Sequence, residues 1–221
     1  MAKKKKSLRE KLPYSEYMID LIEHFATLPG IGEKSAEKLA YHIMMIPKDD
    51  AMKLARSIAN VKQKMTVCEQ CFNLTIESPC EICKDESRDR STICVVEQPK
   101  DLWAIEKTGQ YKGLYHILTG KLSPLEGVTI DNLTIKQLAI RIRKSQDEND
   151  KDAAKFPVKE VIIATNPDFE GDGTMLAVNE ALSTLSVKIT RIARGLPTGG
   201  SIEMSSPAIL AEALTNRNVI D

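Results

Sequence analysis

Cys68, Cys71, Cys80 and Cys83 form two C-x2-C pairs separated by eight residues. Each pair can turn two thiolates toward one point, and two pairs complete the tetrahedral four-sulfur shell that zinc prefers in closed structural sites. The spacing predicts one structural Zn²⁺ with no ligand position left for water, and so no catalysis by that metal. A redox pair or disulfide staple is the weaker reading for two coupled pairs within sixteen residues. Pro79, between the pairs, is a turn former where the knuckle must reverse. The fifth cysteine, Cys94, sits in the apolar run STICVVE and reads as a buried small hydrophobe.

A second group is acidic. Glu97 ends the run STICVVE, and Asn166, Asp168, Glu170 and Asp172 follow the run EVIIAT. If both runs are strands, these residues fall at carboxyl ends, where open α/β sheets place their sites. Converging carboxylates there could hold Mg²⁺, which takes hard oxygen ligands. Asn166 brings no charge, so such a site would bind the ion weakly. Loop solvation and a protein docking surface remain open as readings of the same residues.

The third group is LPGIG, residues 28–32, a turn between two helical patterns. Gly30 and Gly32 let a phosphate approach the backbone, while the following helix offers unpaired N–H groups and its positive dipole end. Lys34 and Lys38, four apart on one helical face, could flank the same phosphate strand. Spacing alone leaves this sequence-independent DNA grip level with an ordinary helix hairpin. Two other candidates carry less. In ARGLPTGGS, Ser201 stands where a phosphate-binding loop needs lysine, which leaves a turn at the sheet edge. His24, His42 and His116 are dispersed with no Ser or Cys at suggestive spacing, and none receives a catalytic assignment.

The elements that must position these groups follow from periodicity. Helices are expected over residues 15–26, from Gly32 to Pro47, and over about 49–65. Beyond the cysteines, STICVVE, YHIL, EVIIAT and VKITRIA read as strands, and PKDLWAIEKT, LTIKQLAIRIRK and DGTMLAVNEALSTL as helices between them. That alternation predicts a mixed α/β fold with a mostly parallel sheet covered by helices on both faces. SSPAILAEALTNR is a last helix; SQDENDKDAAK is a loop or an exposed helix end.

At 221 residues and 42% apolar content the chain can bury a sizeable core. There is no apolar run of about 18 residues and no apolar stretch behind the lysine-rich start, so neither a membrane span nor a signal peptide is expected. A cytoplasmic, nucleoid-associated protein is the corresponding expectation. Net charge is zero but uneven: residues 1–66 hold 13 Lys/Arg against 8 Asp/Glu, and the remainder the reverse imbalance. A basic front suits a polyanion. The leading KKKK is read equally well as a solvated tail. Aromatic residues make up 5%, and none clusters near the hairpin, so phosphate contacts rather than base stacking should dominate any DNA binding.

Taken in order, LPGIGEKSAEKLAYH, the two C-x2-C pairs with CFNLT, ICVVE, TGQYKGLYHILTGKLSPLEGV, ATNPDFEGDGT and TRIARGLPTGGSIE resemble the bacterial RecR family of recombination mediators over nearly the whole chain. The resemblance implies five segments: a basic tail over 1–12, which lies outside it, a helix-hairpin-helix module over 13–66, a four-Cys zinc finger over 67–90, a Toprim domain over 91–194 and a C-terminal association segment over 195–221. It further implies a homodimer or ring-like homotetramer that clamps double-stranded or gapped DNA without reading sequence. RecO, and in many bacteria RecF, would be partners in helping RecA replace single-strand-binding protein at gaps. On the same resemblance Lys34 and Lys38 are the DNA contacts, the zinc braces the hairpin against the Toprim core, and Glu170 and Asp172 are candidate RecO contacts.

Toprim enzymes resemble this region in having a glutamate where Glu97 stands and a D-x-D pair at positions 166 and 168. The first of that pair is Asn166 here, which fits a non-catalytic branch. A small Mg²⁺-dependent Toprim nuclease using Glu97 and Asp168 is the alternative function, and a zinc-stabilised DNA-binding protein without mediator activity is a plainer third.

Overall fold

A computed structural model describes residues 14–147 and 156–217. The segments 1–13, 148–155 and 218–221 lie outside the described residues, and with them the basic tail and most of SQDENDKDAAK. The chain divides into two compact units, Met1–Lys64 and Met65–Asp221.

In the first unit, α1 (Glu16–Ala26) and α2 (Glu33–Met45) pack against each other, and α3 (Lys48–Lys64) follows. The α1/α2 contact is built on Ile22, Ala36 and Ala40, all buried, with Met18, Leu21, Phe25 and Ile31 around them. Small residues at 36 and 40, one helical turn apart, let the two helices approach closely. The turn between the helices needs Gly30, whose φ of +77° is a left-handed conformation that an L side chain rarely adopts. α3 buries none of its side chains, and Met52, Leu54, Ile58 and Val61 are exposed along it.

In the second unit, a short antiparallel ribbon, β1 (Thr66–Val67) with β2 (Leu74–Thr75), opens the cysteine knuckle, and α4 (Glu81–Lys84) closes it. The main sheet contains β3 (Asp89–Val96), β4 (Gly113–Ile117), β5 (Glu160–Ala164) and β6 (Lys188–Arg191) in the order β4-β3-β5-β6, every pair parallel. Three helices connect them: α5 (Pro99–Glu106), α6 (Ile135–Ser145) and α7 (Phe169–Leu182). α8 (Pro207–Thr215) follows the edge strand β6 and the ARGLPTGGS turn. Strands and helices thus fall where the apolar runs and periodic segments place them.

Side chains alternate across β3 as the period of a strand requires. Ile93 and Val95 enter a core made with Leu138 and Ile142 of α6 and Val178 and Leu182 of α7. Cys94 and Val96 point to the other face, into a second core with Leu102 of α5, Tyr115 and Ile117 of β4, and the four knuckle cysteines. Cys94 is the buried small hydrophobe its sequence context predicts, with burial pushing its thiol up to about 12. Among the described residues no helix is long and apolar enough to cross a membrane.

Leu138→Ala removes a fully buried side chain from the first core. It is expected to lower unfolding free energy by about 2–5 kcal/mol, read from the midpoint of urea denaturation.

Candidate metal centre, acidic face and helical hairpin

The four cysteine side chains converge. Their Sγ atoms all lie within 4.8 Å of one another, with Cys71 to Cys80 at 3.5 Å and Cys68 to Cys83 at 4.0 Å. Four sulfurs about 2.3 Å from a central zinc would be separated by about 3.8 Å, so the observed spacing fits a tetrahedral site. All four are buried, and the backbone holds them from outside. The Cys80 N–H donates to Cys68 Sγ at 3.3 Å, and the Ile117 N–H donates to the Cys71 carbonyl at 2.8 Å, fixing the knuckle to the end of β4. The Phe72 ring meets His116 edge-on, with centroids 5.2 Å apart.

Protons alone cannot balance this cluster as four thiolates. Hydrogen bonds among the sulfurs lower the Cys80 thiol and raise that of Cys71. Four neighbouring buried thiolates need a cation among them. The donor set, its burial and its closure therefore suit a structural metal ion such as zinc.

The acidic residues are brought together differently from the expectation. Glu97 and Asn166 do meet across the adjacent carboxyl ends of β3 and β5. Glu97 is only 2% exposed, and Asn166 binds both its oxygens, backbone N–H to Oε1 at 2.8 Å and Nδ2–H to Oε2 at 2.6 Å. Asp168 caps α7, its Oδ1 accepting from the Gly171 N–H at 2.6 Å. Gly171 is essential to that turn, since a Cβ there would sit 2.1 Å from the Asn166 carbonyl oxygen.

The remaining oxygens face cations that the sequence did not single out. Lys121 Nζ lies 2.8 Å from both Asp168 and Glu170. It lowers both carboxyl groups below the usual range, and together they push the lysine up. Asp172 is bound by Arg191 and Arg194, and Arg194 also reaches Glu212 of α8 at 2.8 Å. Among the described residues, the four cysteines are the only His, Cys, Asp or Glu group of three or more close enough to share a metal ion. Glu97, Asp168, Glu170 and Asp172 thus each have a partner supplied by the chain. Nothing in local spacing pointed to Lys121, which lies 47 residues from Asp168.

The hairpin lysines stand apart from these networks. Lys34 and Lys38 are exposed on α2, and among the described residues neither makes an ion pair. Gly32 is the N-cap of α2 and has no side chain to accept from the first-turn N–H groups. A Cβ at Gly30 or Gly32 would meet nothing within 4 Å, so the turn is open to an approaching group.

Two smaller expectations come out differently from each other. The hairpin does carry aromatic side chains: Tyr14, Tyr17 and Tyr41 are all exposed, Tyr17 at 87%, and Tyr14 donates to Glu37 at 2.7 Å. Tyr14 lies two residues before α1, Tyr17 on α1 and Tyr41 on α2. His116, left without a catalytic assignment, is buried with Nε2 3.0 Å from the Thr134 carbonyl, and burial lowers it to about 3. It is a neutral core residue at pH 7.

Residues 91–193 match the Toprim domain family, and residues 18–62 match the family described as RecR, helix-hairpin-helix. Among curated proteins, the chain is 46% identical over 197 residues to the recombination protein RecR of Chloroflexus aggregans, covering 89% of this chain and 91% of that one. It is 42% identical over 208 residues to the RecR of Moorella thermoacetica, 94% and 99% of the two chains. For the RecR of Heliobacterium modesticaldum the identity is 43% over 204 residues, 92% and 97%.

Cys80→Ser removes one of the four converging sulfurs while keeping the residue-80 backbone N–H that bonds Cys68 Sγ. Bound zinc measured by atomic emission should fall from one ion per chain to near none, and thermal unfolding should move to lower temperature. Unchanged zinc content and stability would remove the metal from the fold.

Proposed function

The chain belongs to the RecR family of recombination proteins, and on that premise we propose that it is a non-enzymatic DNA clamp for recombinational repair, with the hairpin of α1 and α2 as its DNA contact. The observation that carries this reading is the combination at the start of α2: an open Gly30 to Gly32 turn, a helix N-terminus with no side-chain cap, and Lys34 and Lys38 exposed with no carboxylate partner among the described residues. Such a surface attracts phosphate by backbone N–H groups, helix dipole and two ammonium groups, none of which reads sequence. The exposed tyrosines beside it add a stacking capacity for unpaired bases.

In this reading Cys68, Cys71, Cys80 and Cys83 hold one structural zinc. It would fix the knuckle against the second core, and the chemistry it supplies is charge neutralisation of four buried thiolates. The protein works as an oligomer, dimer or ring-like tetramer. Exposed apolar side chains on α3 and around α8, including Ile202, Met204 and Leu214, support association. RecO, with RecF in many bacteria, is the partner through which the clamp helps RecA onto gaps covered by single-strand-binding protein. The face around Glu170 and Asp172 is the docking surface proposed for RecO. Phe169 supports that role, since it stands 91% exposed at the first turn of α7 among these charged residues.

The nuclease alternative requires Glu97 and Asp168 to be available to a metal, and both carboxylates are engaged within the chain. Labelled gapped DNA incubated with the protein and Mg²⁺ or Mn²⁺ should remain intact on a denaturing gel. Cleavage that Asp168→Ala abolishes would establish the nuclease instead.

The double variant Lys34→Ala/Lys38→Ala should weaken duplex DNA binding about 10- to 30-fold at physiological salt and reduce the slope of log K against log salt by about 2. Fluorescence anisotropy across a salt series checks both numbers. An unchanged slope would take the hairpin out of the DNA interface.

A further inference from the structure

Toprim domains are associated with a divalent cation, and the corresponding residues of this chain do not fit one. The misfit goes beyond the neutral Asn166. Both oxygens of Glu97 accept from Asn166, and Asp168 Oδ1 caps α7 while Oδ2 meets Lys121. To coordinate a metal, these groups would have to give up partners that also hold the β5–α7 turn in place.

We propose that the Lys121 ammonium is the built-in counter-ion of this face, taking the charge-neutralising role of a divalent cation between Asp168 and Glu170 and so keeping the Toprim site metal-free. The geometry is that of a bridge: Nζ stands 2.8 Å from Asp168 Oδ2 and 2.8 Å from Glu170 Oε2, on side chains that would otherwise repel each other across the first turn of α7. A lysine can do this because its three ammonium donors serve two carboxylates at once from a flexible stem. A metal entering here would either displace the ammonium or sit beside it and be repelled.

The chain spends backbone conformation to place this lysine. Thr119, two residues before it, has φ of +65°, a left-handed conformation unusual for a β-branched residue. Its hydroxyl bonds the preceding carbonyl at 2.6 Å. The loop then docks on α7, where the Leu122 N–H donates to Thr174 Oγ1 at 2.8 Å. Lys121 is thereby anchored on both sides in sequence, and its position belongs to the fold rather than to a wandering surface side chain. The depressed carboxyl groups of Asp168 and Glu170 and the raised Lys121 agree with this bridge.

The consequence is chemical. A face that carries its own cation needs no metal to hold its carboxylates together, so its shape is the same at any Mg²⁺ level. Stabilisation by a tethered ammonium also leaves no Lewis acid and no metal-bound water. The inference stands apart from the DNA-clamp reading, whose test is read at the hairpin.

The experiment uses full-length, zinc-loaded protein with Mn²⁺ as the probe, free ion being measured by electron paramagnetic resonance. Wild type should show no Mn²⁺ binding that Asp168→Asn removes, up to millimolar metal. Lys121→Met should gain such a site, with affinity at least about tenfold above wild type, lost again on adding Asp168→Asn and tightened further by Asn166→Asp. Lys121→Gln serves as the second variant if the methionine compromises folding. A direct readout needs no substitution: the ¹⁵N resonance of the Lys121 ζ-ammonium should persist unshifted when Mg²⁺ is added. Wild-type Mn²⁺ binding that depends on Asp168, displacement of the ammonium by Mg²⁺, or Lys121 variants that bind no more tightly than wild type would each overturn the proposal.

Discussion

β3 is paired on both edges and buried on both faces, so its backbone polar groups must be met by β4 and β5, and its side chains must divide alternately between two cores. That single constraint locates most of the second unit. Ile93 and Val95 require α6 and α7 on one side; Cys94 and Val96 require cover on the other. α5 supplies part of that cover. The cysteine knuckle supplies the rest, with its sulfurs counted among the buried groups of the same core. Parallel pairing brings the ends of β3 and β5 into register, Val96 beside Ala164, and Glu97, one residue past Val96, meets Asn166, two residues past Ala164.

Two ways of neutralising negative charge coexist within this unit, and burial decides between them. The four sulfurs are buried in an apolar core, where uncompensated thiolates would be severely destabilised. A small divalent ion suits that place. At the N-terminus of α7 the carboxylates are half-exposed, water moderates their repulsion, and a long flexible ammonium or guanidinium from a neighbouring loop is sufficient. Lys121, Arg191 and Arg194 fill that role, and Arg194 extends it to α8 through Glu212. The same reasoning explains why an acidic sequence segment gives rise to a face of paired charges rather than an open cluster.

The helical hairpin works by the opposite principle. Its core is small, held by Ile22 against Ala36 and Ala40, and among the described residues Lys34 and Lys38 near the start of α2 make no ion pair. Exposed cations with no internal partner lose little on meeting an external anion, because no ion pair has to be broken first. In the proposed reading, low internal satisfaction is what would fit Lys34 and Lys38 to a phosphate chain, just as high internal satisfaction would make Asp168 and Glu170 poor ligands for a metal.

Strands, helices and the cysteine cluster were legible in the sequence because each is encoded locally. Period-2 and period-3.6 patterns report which face of an element is buried, and C-x2-C spacing reports a turn that aims two thiols at one point. The order of motifs likewise carried the family. What the sequence could not reveal were the partners of Glu97, Asp168, Glu170 and Asp172, since these are set by chain segments that meet only after the sheet has formed. Lys121 comes from the loop after β4, and Arg191 and Arg194 come from the end of the edge strand. Local chemistry and periodicity are one-dimensional properties, and the chain determines them directly. Whether a carboxylate faces a metal, a water or a lysine depends on three-dimensional proximity, and that only the packed parallel sheet decided.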